Sequence, residues 1–257
     1  FLLVNGIMIP ISAWLINKFS SKKLYITAMS TFLIGTIICF VAQDFGMLLT
    51  GRLVQAAGVG VSMPLLQTIM LSIFPPEKRG AAMGTTGIVI GLAPALGPTL
   101  SGWIIDSYTW RDLFGMVIPI VVLVLILASF LMKNVIQLSN PSIDVLSVIL
   151  STLGFGSLLY GFSSVGDKGW GSPQVYGFLI VGAIVLCLFT YRQLHLEQPF
   201  LELRVFKSKV FTVAAILSGV TNMAMIGAEM VLPLYIQNIR GESAFHSASR
   251  VRCGSPG

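Results

Sequence analysis

The sequence predicts an all-α, polytopic bundle of transmembrane helices. Of its 257 residues, 55% are hydrophobic and only 10% are charged, and the mean hydropathy is +0.87. The apolar residues are also gathered into runs long enough to cross a bilayer. Because soluble domains carry about 25% charged residues, this composition excludes a soluble enzyme or a soluble binding module.

Eight apolar runs, joined by short polar loops, account for most of the chain. A helix needs roughly 17 to 25 residues to cross a hydrocarbon core of about 30 Å. The runs lie near residues 1–16, 24–42, 46–73, 80–105, 113–132, 143–163, 175–191 and 210–236. Because the chain begins with Phe1 and is apolar from its start, we expect it to begin inside a span and to be a fragment.

Lysine and arginine residues fall mainly in alternate loops, which predicts the orientation because cytoplasmic loops are enriched in them. The opposite loops contain only Arg111 and Lys168. Residues 17–23 are therefore predicted to be cytoplasmic and residues 164–173 to lie outside. This topology accounts for the net charge of +6 without a nucleic-acid partner. The cytoplasmic set has ten members: Lys18, Lys22, Lys23, Lys78, Arg79, Lys133, Arg192, Arg204, Lys207 and Lys209.

Metal, cofactor and enzymatic chemistry are not predicted. Cys39, Cys187 and Cys253 are far apart and lack metal-ligand spacing, while His195 and His246 stand alone in polar stretches typical of a surface. The sequence has no phosphate-binding Gly-x4-Gly-Lys-Ser/Thr loop. It also has no His-Glu-x-x-His or Gly-x-Ser-x-Gly motif. Neither ATP-driven transport nor an intramembrane enzyme is therefore favoured.

Away from the span ends, two charged residues lie within predicted spans, where a charge costs at least ~2.5 to 3.5 kcal/mol. Arg52 shares a helix face with Gln55, three residues later, and we predict that both project into the bundle. In the alternative, Arg52 extends to the outer headgroups. Glu229 lies roughly 28 Å along the last span from Val210. It fits either a proton acceptor or cation-binding carboxylate, or a polar residue that reaches the outer interface.

The fourth apolar run contains small residues spaced three or four apart, at Gly87, Gly91, Ala95, Pro98 and Gly102. Such a stripe lets another helix approach closely. Pro94 and Pro98 each remove a backbone donor and favour a kink. Together with Gly97, these residues predict a bent, closely packed helix that takes part in conformational change. Generic close packing in a rigid bundle is the alternative.

Four motifs resemble those of the major facilitator superfamily, in particular its fourteen-helix drug:proton antiporters of the EmrB/QacA type. Residues 93–102, Ala-Pro-Ala-Leu-Gly-Pro-Thr-Leu-Ser-Gly, are similar to the antiporter motif of the family's fifth helix. Arg52-x-x-Gln55-x-x-Gly58-x-Gly60 resembles its fourth-helix motif, whose arginine is associated with proton coupling. Pro76-Glu-Lys-Arg-Gly80 and Trp110-Arg111-x-x-Phe114 resemble its flanking loops.

The resemblance extends over residues 1 to about 245 and implies a fragment from the family's second helix to its ninth. Residues 1–132 would supply five spans of the N-terminal bundle, and residues 133–209 two extra central spans with their loops. Residues 210–240 would be the first helix of the C-terminal bundle, and residues 241–257 an unstructured or non-native tail.

One loop departs from the family pattern. Where the family usually has an aspartate before a basic cluster, this sequence has Asn17, followed by Lys18, Lys22 and Lys23. The substitution removes the carboxylate of the usual charge-based conformational latch, although the basic residues remain. We predict that these four residues form a cytoplasmic loop motif.

The resemblance implies a secondary transporter, multi-pass in the bacterial plasma membrane, that exports cationic or amphipathic drugs in exchange for protons by alternating access. Its expected partners are the lipid bilayer, a small amphipathic or cationic substrate, and protons. Arg52, Gln55 and Glu229 would serve proton coupling or substrate binding. The alternatives are an exporter of lipid, peptide or siderophore, and an inactive fragment of such a transporter.

Overall fold

The computed structural model describes residues 1–136, 144–196, 199 and 201–240, and in them the chain is helical without a strand. The prediction of an all-α fold is confirmed. The predicted tail, residues 241–257, lies outside the described residues. The α-helices are α1 (Leu2–Lys18), α2 (Ser21–Phe40), α3 (Phe45–Ile73), α4 (Pro76–Ser107), α5 (Asp112–Leu131), α6 (Val145–Lys168), α7 (Pro173–His195) and α8 (Lys209–Arg240), with a 3₁₀ helix at Leu203–Lys207.

Each predicted apolar run corresponds to one of these helices. Within the described part of the chain, six helices are long and apolar enough to cross a membrane: α2, α3, α5, α6, α7 and the Lys209–Ala228 part of α8. The remaining two runs are α1, which has 17 residues, and α4, which has 32.

The chain separates into two compact units. The first unit consists of residues 1–75 and 118–204, which include α1, α2, α3, most of α5, α6 and α7. The second unit consists of residues 76–117 and the described residues from 205 onward, which include α4 and α8. The division into N-terminal, central and C-terminal parts given by the family resemblance stays a prediction.

Glycines let the backbones of α2 and α3 touch. A Cβ added at Gly58 would lie 2.5 Å from the carbonyl oxygen of Ala28, and one added at Gly35 would lie 2.5 Å from the backbone nitrogen of Gln55. Because lipid is as apolar as the side chains, such close packing is what holds membrane helices together. The adjoining apolar core consists of Ile16, Leu24, Ala28, Val61, Leu65 and Ile69.

The connection between α1 and α2 is shorter than the sequence suggested. Only Phe19 and Ser20 separate the two helices, whereas the predicted loop ran from residue 17 to residue 23. Helical hydrogen bonding continues past the apolar run, since the Phe19 amide still donates to the Leu15 carbonyl at 2.9 Å. The basic residues of this motif therefore lie on helix ends.

α6 and α7 form a hairpin that packs on α1. At its turn, Gly169 has a φ of 71°, a left-handed conformation that glycine adopts without steric cost. Between the helices, a Cβ at Gly154 would lie 2.6 Å from the Leu186 side chain. On the α1 side, a Cβ at Gly6 would lie 2.8 Å from the Leu159 side chain. Small residues thus set both helix contacts.

A polar cluster closes the open end of this hairpin; we call it the α6–α7 clasp, made of Asp144, Ser147, Arg192 and Gln193. Arg192 Nε and Nη2 donate to Asp144 Oδ2 and Oδ1, each at 3.0 Å. Asp144 also caps α6, because it accepts hydrogen bonds from the Ser147 amide at 3.3 Å and the Ser147 hydroxyl at 2.5 Å. Gln193 Nε2 donates to Ser147 Oγ at 2.5 Å.

Acid should weaken this clasp. The hydrogen bonds that Asp144 receives, first of all from Arg192, lower the pKa of its carboxyl. A lowered folded-state pKa means that the stabilisation is present above the unfolded pKa of about 3.9 and is lost as the pH falls through the folded value. We expect Asp144→Asn to melt below the wild type at pH 7. The difference should shrink as thermal unfolding in detergent is repeated toward pH 3, and a constant difference would contradict this account.

Candidate functional site

The polar residues that the sequence singled out in α3 lie in one hydrogen-bond chain with α2. Arg52 Nη1 donates to Gln55 Oε1 at 3.1 Å. Gln55 Nε2 donates to Thr36 Oγ1 on α2 at 2.8 Å, and that hydroxyl donates to the Phe32 carbonyl at 2.8 Å. Gln55 is 3% exposed and Thr36 is fully buried. The amide of Gln55 therefore links the arginine to the backbone of the neighbouring helix.

Arg52 is exposed on the first unit, while its partner Gln55 is buried. The Phe1 ring lies under the guanidinium, with Arg52 Cζ 4.9 Å from the ring centroid, which is within the range of a cation–π contact. A guanidinium does not lose its proton in proteins. Arg52 therefore supplies a fixed positive charge and hydrogen-bond donors, which can bind an anionic group or favour the ionised form of a nearby acid.

Two neighbours of this site were not predicted from the sequence. Cys39 is fully buried, and its Sγ lies 4.0 Å from Gln55 Oε1 and 3.7 Å from the Leu48 carbonyl oxygen. Gly51 leaves space for this sulfur, since a Cβ there would lie 2.6 Å from it. Thr36 and Cys39 come from α2, and nothing in the local pattern of α2 indicates which residues of α3 they meet.

Three glycines of the small-residue stripe in α4 have no close neighbour among the described residues. A Cβ at Gly87, Gly91 or Gly97 would have no atom within 4 Å. Gly102 is buried, and Pro94 and Pro98 lie within the bounds of α4. The approach of another helix to this stripe therefore stays a prediction. Glu229 lies on α8, and its side chain is outside the described part of the structure.

Three lysines of the predicted cytoplasmic motif have different surroundings. The Lys18 ammonium lies 4.6 Å from the centroid of the Trp14 ring. Lys22 Nζ donates to the Ser129 carbonyl at 2.6 Å, which satisfies a carbonyl in the last turn of α5. Lys23 and Asn17 are exposed, and Lys23 borders an apolar cavity of about 290 Å³ among α1, α2 and α3. Lys22 thus ties the start of α2 to the end of α5.

No group of three histidine, cysteine, aspartate or glutamate side chains in the described ranges is placed to hold a metal ion.

Long apolar helices packed through glycines define a polytopic helical membrane protein. Residues 1–251 match the family model of the Major Facilitator Superfamily, and the chain belongs to that superfamily. The predicted family resemblance is confirmed, as is the location in the bacterial plasma membrane as a multi-pass protein.

Several bacterial transporters are similar to this chain. It is 56% identical over 245 residues to the uncharacterized MFS-type transporter YcnB of Bacillus subtilis, covering 95% of this chain and 52% of that protein. It is 44% identical over 245 residues to the lincomycin resistance protein LmrB of Listeria monocytogenes, with the same coverages of 95% and 52%. It is 30% identical over 246 residues to the multidrug export protein EmrB of Escherichia coli, covering 95% and 48%. The chain spans about half the length of the curated relatives it matches.

Proposed function

We propose that this chain is part of a proton-coupled exporter of cationic or amphipathic compounds that works by alternating access. The observation that carries the proposal is the hydrogen-bond chain from Arg52 through buried Gln55 to Thr36. A permanent charge on a spanning helix is costly, and here its guanidinium is oriented by a buried amide that also joins two helices. The names of the relatives LmrB and EmrB, which mention lincomycin resistance and multidrug export, support the substrate class.

In this proposal Arg52 couples transport to protons without being protonated or deprotonated itself. Its charge favours an ionised acid beside it, and protonation of that acid releases the arginine to a different partner. Because Gln55 is hydrogen-bonded to both Arg52 and Thr36, a change at Arg52 reaches the contact between α2 and α3. Independently of Arg52, Glu229 is proposed as a proton acceptor or cation-binding carboxylate, or as an outer-interface residue. The α4 stripe is proposed as a helix contact that changes during transport.

Proton entry supplies enough free energy for this task. One pH unit contributes about 1.4 kcal/mol per proton, and a membrane potential of 100 mV contributes about 2.3 kcal/mol more. A neutral compound exchanged for one proton uses both terms, which suffices for a concentration ratio of several hundred. A monovalent cation exchanged for one proton moves no net charge, so only the pH term drives its export.

The proposal involves no enzymatic reaction. It retains the division implied by the family: residues 1–132 as N-terminal bundle, 133–209 as central spans, and 210–240 as the start of the C-terminal bundle. An exporter of lipid, peptide or siderophore, or an inactive fragment, are the competing proposals.

Ethidium efflux tests the proposal directly. Energised cells expressing the gene at full length are loaded with ethidium, and efflux is followed with and without a protonophore. We expect export that stops when the protonophore is added. If the protein is shown to be in the membrane and ethidium is not exported, the multidrug assignment is overturned in favour of a narrower substrate.

A further inference from the structure

The segment that follows α7 is fastened back onto the α6–α7 hairpin. Gln193, which is 1% exposed, uses both ends of its amide on different parts of the chain. Its Nε2 donates to Ser147 Oγ in the first turn of α6. Its Oε1 accepts from the backbone amide of Leu201 at 3.0 Å. A side chain of α7 thus holds the start of one helix and the segment beyond the end of another.

Arg204 makes a second attachment of the same segment. Its Nη2 donates to the Leu194 carbonyl at 3.2 Å and to the Leu196 carbonyl at 2.9 Å. The last carbonyls of a helix have no partner within the helix, and a cation near them is favoured by the helix dipole. Arg204 therefore caps the C-terminal end of α7, although it lies ten residues beyond Leu194. The same two hydrogen bonds hold the Arg204 side chain against the end of α7.

After Arg204 the described hydrogen bonds become local. The Ser208 amide donates to the Val205 carbonyl at 3.0 Å, and the Thr212 amide donates to the Ser208 carbonyl at 3.0 Å. The Thr212 hydroxyl donates to the Phe206 carbonyl at 2.8 Å. The first compact unit also ends at Arg204. Among the described residues, hydrogen bonds from this segment to the hairpin therefore end at Arg204, and the hydrogen bonds that follow join residues close together in the chain.

We infer that Gln193 and Arg204 are positioning residues whose hydrogen bonds attach the chain to the α6–α7 hairpin as far as Arg204; we call these hydrogen bonds the pin. Residues 205–208 then form the hinge that leads into α8. The two helices of the hairpin are joined by the turn at Gly169 at one end and by the clasp at the other, and its glycines pack against leucines between them. A change in the direction of α8 relative to its preceding segment then has to be absorbed in these few residues. The role of this hinge in transport rests on the proposed function.

Backbone hydrogen exchange tests the pin without reference to transport. Replacing Gln193 by leucine removes the acceptor of the Leu201 amide and the partner of the buried Ser147 hydroxyl. Because a buried polar group left unpaired is strongly disfavoured, we expect residues 201–204 to exchange roughly 10- to 100-fold faster. The amides of α8 near Thr212 should be unchanged. Unchanged exchange at residues 201–204 would overturn the pin.

Gln174→Leu is the control for this experiment, and Arg204→Gln is a second test of the pin. Gln174→Leu, at the other end of α7, removes the hydrogen bond that Gln174 accepts from exposed Lys168 and should leave residues 201–204 protected. Arg204→Gln affects only an exposed side chain, so it keeps the test valid if Gln193→Leu does not fold. It should raise exchange at residues 201–204 severalfold, and unchanged exchange would again count against the pin.

Transport kinetics of the full-length protein then test the hinge. Gln193→Leu should lower the maximal rate of ethidium efflux several-fold and leave KM unchanged, because the proposed pin acts on the conformational change and not on substrate binding. An unchanged maximal rate, despite faster exchange, would overturn the role of the hinge in transport. Absence of ethidium efflux in the wild type would instead overturn the multidrug assignment of the proposed function, and the exchange result would still decide the pin.

Discussion

Arg52→Ala is expected to abolish proton-driven efflux while the protein continues to insert in the membrane. The substitution removes the fixed charge and one hydrogen bond to Gln55, but it leaves the Gln55–Thr36 bond and the glycine contacts of α2 with α3. A hydrogen bond to a charged group contributes about 1.5 to 3 kcal/mol, and the lost charge adds to that. Since each 1.4 kcal/mol in a barrier changes a rate about tenfold, we expect the rate of efflux driven by an imposed pH gradient to fall about 10- to 100-fold or more.

Two companion variants distinguish the effect of the Arg52 charge from the effect of its hydrogen-bond geometry, and from the effect of removing any cation. Arg52→Lys keeps the charge but loses the planar, multiple-donor geometry of the guanidinium, so partial activity would point to charge and no activity to geometry. Lys168→Ala removes a cation from the last turn of α6 and should leave efflux intact. Proton-dependent efflux retained by Arg52→Ala would refute the coupling role and favour an arginine that merely extends to the headgroups.

Gly58→Val should strongly destabilise the contact between α2 and α3. Its Cβ would lie 2.5 Å from the Ala28 carbonyl oxygen and 2.8 Å from the Phe32 backbone nitrogen. These are backbone atoms, so rotation of a side chain cannot relieve the clash, and α2 must move away from α3. Overpacking of a core typically costs 1 to 3 kcal/mol, and we expect about 3 kcal/mol or more in the free energy of unfolding.

Thermal unfolding in detergent measures this effect, and Gly177→Val is the matched control. Gly177 lies in α7, and a Cβ there would have no atom within 4 Å, so the same change of residue meets open space. The control should melt within a few degrees of the wild type. If Gly58→Val also melts within a few degrees of the wild type, the backbone contact of α2 with α3 is not what holds the first unit together.

Local periodicity predicted the features that depend on neighbours along the chain. Apolar run length predicted each helix, because a span must be about as long as the bilayer is thick. The spacing of three residues predicted that Arg52 and Gln55 would lie side by side, and they are hydrogen-bonded. Helix ends were less predictable, since the helical backbone of α1 and α2 continues through residues as polar as Asn17 and Lys22.

Contacts between distant parts of the chain were not predicted. Thr36 meets Gln55 because α2 packs on α3 through glycines at one particular rotation, which the hydropathy of α2 does not define. Asp144 lies at the start of the predicted run 143–163 and Arg192 directly follows the run 175–191, and an antiparallel pair of helices brings such ends together. The sequence therefore contained a signal for the Asp144–Arg192 ion pair. The geometry of its hydrogen bonds, and the participation of Gln193, could be seen only in the structure.

Cys39 has a practical consequence because its sulfur is enclosed between α2 and α3. A membrane-permeant maleimide can reach this thiol only when the two helices separate, whereas Cys187 is exposed. The ratio of the two alkylation rates therefore reports how often that helix contact opens in a native membrane. The protein contains its own reactive site for following this motion, and no cysteine has to be introduced beside Arg52.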